Sequence, residues 1–433
     1  MIEKYYNGVI EQVAGGIGNV EHNSILVRYS NDFSIWDLES VNHYKDQTDI
    51  FFTCHEFSYN KIAEAYEPYL GLIRQMFHKY CSGTLEEFME ECDVYKLQRP
   101  VFESYFEKGF CERTEQILID EVEYEQERMR NSIVTMLQKL SEIRPVVIVL
   151  NRFQLASKST MQLTNRLLQT KNKNIGIVLG VNDVQSIPEF AHEEWDAICE
   201  SMDDRNMVYH IGNAGRNMEP DVMDYYSDYE SDDGYRKLNN LVYFLDFDQA
   251  DHHLSKIERR IKFDNFTISE KKHYQLLLLQ IMVSVLQRDI AKALESCEDL
   301  EKLQDQEKEG AFYYNFWMAT SYMYLGKLEE AMIYVQKAKE CGEALGDDFL
   351  VFRAELLKAQ NQMSGWCNIF FCAQDIEISD KLIEKLNAYH YKNHLAHIYI
   401  YAYDNKPEIV AKAYRSEAVS YTHLRAHETE ADL

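Results

Sequence analysis

The chain has 433 residues, a formal net charge of −27 and 46% hydrophobic residues, of which aromatics make up 13% of the chain. That length exceeds one ordinary core and implies two or three domains, and so much apolar surface excludes disorder as the general state. The acidity opposes direct binding to phosphate backbones, and no apolar run reaches membrane-spanning length, so nucleic acid and membrane partners are both excluded as expectations.

Only 6 Pro and 17 Gly are present, which favours long helices over an all-β fold. The chain opens Met1-Ile2-Glu3-Lys4, with no secretory leader, and its 9 Cys have neither CxxC pairs nor metal spacing. Reduced thiols and a cytoplasmic location are the expectation.

Along the chain, Ser24–Tyr29 and Ile50–Cys54 read as strands, and Ile62–Tyr80 as a helix. Thr114–Ser141 reads as a long charged amphipathic helix. Val146–Leu150 is a continuous β-branched run suited to a buried parallel strand; Ser159–Gln169 is helical. Ile175–Gly180 is a further buried strand, and Met207–Ile211 a weaker one. Strands alternating with helices predict a three-layer α/β domain with a mainly parallel sheet over residues 1–215.

Residues 216–270 read as an acidic loop and a helical linker. Asp221–Asp233 mixes acids with tyrosines, but counting back from Gly234 gives Tyr229, Ser231 and Asp233, which is not a calcium loop. His252-His253 reads as a helix surface, and no metal site is expected.

From about residue 271 to 418 two segments share one template. Tyr274–Leu286 leads into Ile290–Leu303, and Phe312–Leu325 into Leu328–Ala344. In the second copy Ala319 and Tyr322 share a face, Gly326 makes the turn, and Ala331 and Ala338 line the next helix. Small alanines let paired helices approach closely. Ala293 stands 38 residues before Ala331, while Arg288 replaces the turn glycine. A third hairpin is expected from Asp347 with Phe349–Gln362, and a fourth from Ile378 to Ala413. His390, His394 and His397 fall on one predicted helix face there, which we assign to packing or surface.

The phrase Tyr-Leu-Gly-Lys-Leu-Glu-Glu-Ala at 324–331 is similar to the tetratricopeptide signature. That resemblance implies stacked hairpins that hold a protein, peptide or ligand. The strand and helix order of residues 20–215 resembles the nucleotide-binding core of the STAND class of P-loop ATPases, relatives of the AAA+ group. Arg144–Thr160 is similar to its Walker B strand and following helix, Ile175–Asp183 to the next core strand, and Tyr66–Met76 to the segment after the second strand.

The chemistry of that class is missing from the residues. A phosphate loop needs GxxxxGK(S/T), with glycines that expose backbone N–H groups and a lysine for the phosphate charge. The corresponding stretch, Ser30-Asn31-Asp32-Phe33-Ser34-Ile35-Trp36-Asp37, has neither glycine nor lysine. Asn31, Asp32, Ser34 and Asp37 mark the degenerate loop, and Asn151 stands at the Walker B acid. Gly15-Gly16-Ile17-Gly18 lacks the lysine and reads as a flexible turn.

The expectation is therefore a pseudo-ATPase with no catalytic residue and no cofactor, acting in signalling through its repeats. Two alternatives stand beside it. One is the sensory part of a larger transcriptional regulator or GGDEF-type cyclase. The other is an active NTPase with an atypical phosphate loop. Ser420-Tyr421-Thr422-His423-Leu424-Arg425-Ala426-His427-Glu428-Thr429 looks like a translated sequencing-library adaptor, so residues 419–433 are expected to be non-native.

Overall fold

A computed structural model describes most of residues 2–364. Residues 19–22, 30–34, 46–48, 59–60, 96–97, 112–121, 171, 183–186, 204–206, 212–228, 230 and 265 lie outside the description, as do 365–433. The fourth hairpin, His390, His394, His397 and the tail therefore lie outside the described residues. The chain divides into two compact units: one from Met1–Arg113 and Glu121–His253, the other from Leu254 onward.

The first unit is built on a parallel sheet of five strands. These are β1 (Ser24–Tyr29), β2 (Phe51–Glu56), β3 (Val146–Asn151), β4 (Ile175–Asn182) and β5 (Val208–Ile211), in the order β2-β3-β4-β1-β5. Every residue of β3 and β4 is buried, which is what near-continuous apolar runs covered on both faces require. The register sets Ile148 beside Ile177 and Leu26 beside Leu179.

Helices α1 (Ile2–Gly15), α2 (Glu39–Lys45), α3 (Tyr69–Tyr80), α4 (Leu85–Glu91), α5 (Arg99–Lys108), α6 (Val122–Ile143), α7 (Lys158–Gln169) and α8 (His192–Asp203) belong to this unit. Helix α1 was not anticipated, although Tyr6, Val9, Ile10 and Val13 recur at helical spacing and are buried. Its C-terminal end is the turn containing Gly18, whose φ is +95°. Helix α3 starts at Tyr69, not Ile62. Pro68 disfavours a helical residue before it, and Tyr66 has φ 55°, so residues 62–68 form a turn.

The expected boundary at 215 is passed. Helix α9 (Asp232–Tyr243) buries Leu238, Leu241, Val242 and Tyr243 in the first unit. Ser231 caps it by accepting from the Gly234 amide. The unit ends inside α10 (Phe247–Phe263). What reads as a linker is thus largely packed helix. His252 is exposed, as expected, but His253 is fully buried. Its two ring nitrogens meet Tyr229 Oη at 3.2 Å and Gln249 Nε2 at 3.0 Å, and this polar partnership is what makes its burial tolerable.

The second unit carries α11 (Glu270–Leu286), α12 (Ile290–Glu301), α13 (Gly310–Tyr324), α14 (Leu328–Leu345) and α15 (Asp348–Ser364). Tyr274, Leu277, Ile281, Phe312, Phe316, Val335 and Leu357 share one core. Ala293, Ala319, Ala331 and Ala338 are all fully buried, so the small residues sit where helices touch. Tyr322 is partly buried and stacks on Tyr334 at 5.6 Å.

The hairpin turns repeat in detail. The Gly326 amide donates to Met323 O at 3.0 Å and the Lys327 amide to Tyr322 O at 2.9 Å. The Arg288 amide donates to Val285 O at 3.1 Å and the Asp289 amide to Ser284 O at 2.8 Å. Both central residues are left-handed, with φ 72° at Gly326 and 65° at Arg288. A side chain there costs about 1–2 kcal/mol against glycine. The Arg288 guanidinium lies 4.2 Å from the Tyr324 ring, which offsets part of this. In urea unfolding of the second unit, Gly326→Ala is expected to lose about 1 kcal/mol, whereas Arg288→Gly gains a few tenths to about 1 kcal/mol. Equal signs for the two changes would contradict the shared turn geometry.

Candidate functional site

In open parallel sheets, ligands bind beyond the carboxyl ends of the strands, where neighbouring strands send the chain in opposite directions. Here β1 leads to β2 at the far edge, whereas its neighbour β4 leads past β1 to β5. The crevice between the carboxyl ends of β1 and β4 is therefore the candidate site. Tyr29, Asn151, Asn182 and Glu56 are the last residues of their strands.

These ends bind one another. Tyr29 donates its hydroxyl to Asn151 Oδ1 at 2.8 Å, and Asn151 is fully buried. The Asn182 amide donates to Oε1 of the buried Gln154 at 3.2 Å. Arg152, held left-handed at φ 53°, reaches Glu56 Oε1 at 2.9 Å. The other oxygen, Glu56 Oε2, accepts from the Ile35 amide at 3.0 Å. Burial on α1 brings the Tyr6 phenol to the same place and pushes its pKa well up. A Cβ on Gly180 would collide with the Tyr6 hydroxyl and lie 2.7 Å from Asn151 Oδ1, so glycine is needed for this close approach.

A second polar group lies where α7 begins. Ser157 caps α7, accepting from the Thr160 amide, and donates its hydroxyl to Glu64 O at 2.9 Å. The Ser159 amide donates to Asp246 Oδ2 at 2.9 Å. Burial raises the Asp246 carboxyl despite its hydrogen bonds from Ser159 and Gln249. Lys158 would be lowered by burial, but the Asp248 carboxylate at 2.7 Å holds it above its ordinary value. A small cleft beside it is lined by Tyr66, Arg130, Lys158, Gln162, Asp246 and Asp248.

Of the residues singled out in the sequence, Asn31, Asp32 and Ser34 lie outside the described residues. Asp37 ends a short 3-10 turn, Ile35–Asp37, and only its backbone is described. Asn151 does stand at the carboxyl edge. The repeat residues Ala293, Ala319, Tyr322, Gly326, Ala331 and Ala338 all fall within the second unit. The sequence reading missed Tyr29, Glu56, Arg152 and Gln154, although Glu56 lies only two residues beyond the expected end of its strand. Among the described residues no cluster of three or more His, Cys, Asp or Glu is placed to hold a metal ion. Nor is any described helix long and apolar enough to cross a membrane.

No protein-family model, curated protein or solved structure matches this chain.

The edge favours neutral groups at its centre. Asn151→Asp would place a carboxyl at a fully buried position near Glu56. Its folded pKa should exceed the unfolded value of about 4, so the penalty is absent at low pH and grows as pH rises past that value. Thermal unfolding is expected to show a loss of roughly 1–3 kcal/mol near neutrality that shrinks toward about pH 4. A penalty independent of pH would contradict this account.

Proposed function

We propose that the first unit is a degenerate ATPase-like domain of the STAND/AAA+ kind and that the chain acts by binding, through tetratricopeptide-like repeats in the second. In this reading it is a signalling or regulatory protein of bacterial type, working in the cytoplasm, and not an enzyme. A parallel sheet with its first strand inside, between β4 and β5, is the frame such a core uses. The repeated Schellman-type turns and buried alanines support the repeat reading.

The observation that carries the loss of catalysis is the carboxyl edge. Magnesium and its water need a free carboxylate at the end of β3. Asn151 offers a neutral amide whose oxygen already accepts from Tyr29. The nearest acid in the next strand, Glu56, is held by Arg152 and by the Ile35 amide. A triphosphate entering there would have to break that pair and face a carboxylate.

The repeats then remain as the binding element. The hairpin of α13 and α14 leaves part of its aromatic surface outside the core, where Tyr322, Tyr334 and Tyr314 form a connected, partly buried group. A protein or peptide partner suits such a surface, since tyrosine supplies area at low entropic cost.

Isothermal titration of the purified chain with Mg-ATP tests the first half of the proposal, with no heat of binding expected. Micromolar binding accompanied by turnover would establish the rival reading of an active NTPase. Limited proteolysis with and without cell extract tests the second half. Protection confined to the second unit is expected, and an unchanged pattern would count against recognition by the repeats.

A further inference from the structure

Acids outnumber bases by 72 to 45 in this chain, so an exposed lysine without a carboxylate is unusual. In the second unit Lys262, Lys271, Lys302, Lys308 and Lys339 each reach a carboxylate at 2.7–3.0 Å. Lys327 and Lys337 are exposed and make no ion pair among the described residues. Each lies over a tyrosine ring instead. The Lys327 ammonium is 5.6 Å from the centre of Tyr322, and the Lys337 ammonium 5.0 Å from that of Tyr334. The two rings stack on each other at 5.6 Å, with 23° between their planes. A row of cation, tyrosine, tyrosine and cation thus spans the hairpin of α13 and α14. Ile333, next to Tyr334, is 57% exposed.

On the reading of the second unit as a binding array, on which this inference rests, we propose that the row is the docking surface for an acidic peptide segment, two of whose carboxylates meet Lys327 and Lys337 while an apolar residue between them packs on Tyr334 and Ile333.

The sign of the partner follows from what already occupies the rings. A cation within about 6 Å of a ring centre is attracted to the ring face. A basic partner would have to displace both ammonium groups to reach the tyrosines, whereas a carboxylate pairs with them and leaves the stack intact. The neighbouring acids have other reasons for their places. Glu329 and Glu330 stand in the first turn of α14, where the helix dipole favours negative charge. Lys327, just before that turn, is set against the same dipole, so helix stability does not account for it. Glu301 of α12 faces Tyr314, which packs edge-on against Tyr334 at 6.3 Å. Burial, then Tyr334 and Glu301, hold the Tyr314 phenol well above its ordinary range.

Helix geometry sets the length of the segment. At 1.5 Å per residue, Lys327 and Lys337 stand about 15 Å apart along the axis. An extended peptide rises about 3.3 Å per residue, so its two carboxylates fall roughly four or five positions apart. Recognition by two exposed ammonium groups should also weaken as salt is added.

Fluorescence anisotropy of the full chain with labelled peptides tests this. One is a Gly/Ser sequence with a leucine between two glutamates about five positions apart; the others carry glutamine or lysine in place of both glutamates. The glutamate peptide is expected to saturate, and hydrogen exchange of its complex to show added protection across 314–337. Lys327→Gln and Lys337→Gln should each weaken it roughly fivefold or more, and Tyr334→Ala roughly tenfold or more. Lys271→Gln, which removes an equal charge from a pair with Glu307, should leave it unchanged. Should Tyr334→Ala not fold, the two exposed lysines decide. No saturation by about 1 mM glutamate peptide overturns the proposal, as does equal binding of the glutamine peptide or wild-type affinity in both lysine variants. If the lysine peptide binds instead and protects other helices of the second unit, the acidic partner is overturned while the binding array stands. If no peptide binds, the acidic partner alone is overturned, because proteolysis with cell extract judges the array on natural partners.

Discussion

Complete burial of β3 and β4 leaves these two strands no place for polar chemistry except at their ends. Parallel strands covered on both faces can carry no charge in their middle, so their carboxyl edge receives whatever polar residues the domain uses. In this chain that edge is knitted together by its own groups. Tyr29 meets Asn151, Arg152 meets Glu56, and Gln154 meets the end of β4. An edge organised in this way has its strand ends tied to one another and a neutral amide, Asn151, at its centre.

Much of the architecture was legible because it depends on periodicity. The runs Val-Val-Ile-Val-Leu and Ile-Gly-Ile-Val-Leu-Gly could only be buried strands, and the 38-residue echo from Ala293 to Ala331 marked paired helices. The misses have physical causes too. Helix α1 contains Gly8 and opens the chain, and its apolar stripe is narrow. The extension of α3 back to Ile62 failed because Pro68 and the left-handed Tyr66 set a turn there, a local constraint that apolar spacing does not report. Burial of His253 depended on Tyr229 and Gln249, neither of which is distinctive in sequence. The bonds at the carboxyl edge were invisible for the same reason. They join residues from 21 to 122 positions apart, Ile35 with Glu56 at one extreme and Tyr29 with Asn151 at the other.

The helix-to-helix turns show how a repeated geometry can persist while its residues change. The same pair of backbone bonds closes the turn at Leu245, Arg288, Gly326 and Gly346, all with φ between 65° and 72°. Glycine removes the steric penalty at such a position, and an aspartate after it can cap the following helix for about 1 kcal/mol. The two devices are distributed unevenly. Leu245 and Arg288 pay the steric cost, and each precedes an aspartate whose carboxylate accepts from the next helix, Asp246 from the Gln249 amide and Asp289 from that of Lys292. Gly326 avoids the cost, and Lys327 after it makes no side-chain cap. Gly346 and Asp347 have both.

Asp246 extends this logic into the first unit. One oxygen, Oδ1, accepts from the Gln249 amide and starts α10; the other, Oδ2, accepts from the Ser159 amide and meets the start of α7. A residue that in the repeats would only cap its own helix here joins two helices of the α/β unit, and the left-handed Leu245 before it sets the direction from which its carboxylate arrives. Residues 232–253 are therefore hairpin-like in their backbone yet packed as part of the sheet domain. That dual character explains why composition alone suggested a linker between 216 and 270, and why the compact unit ends at His253.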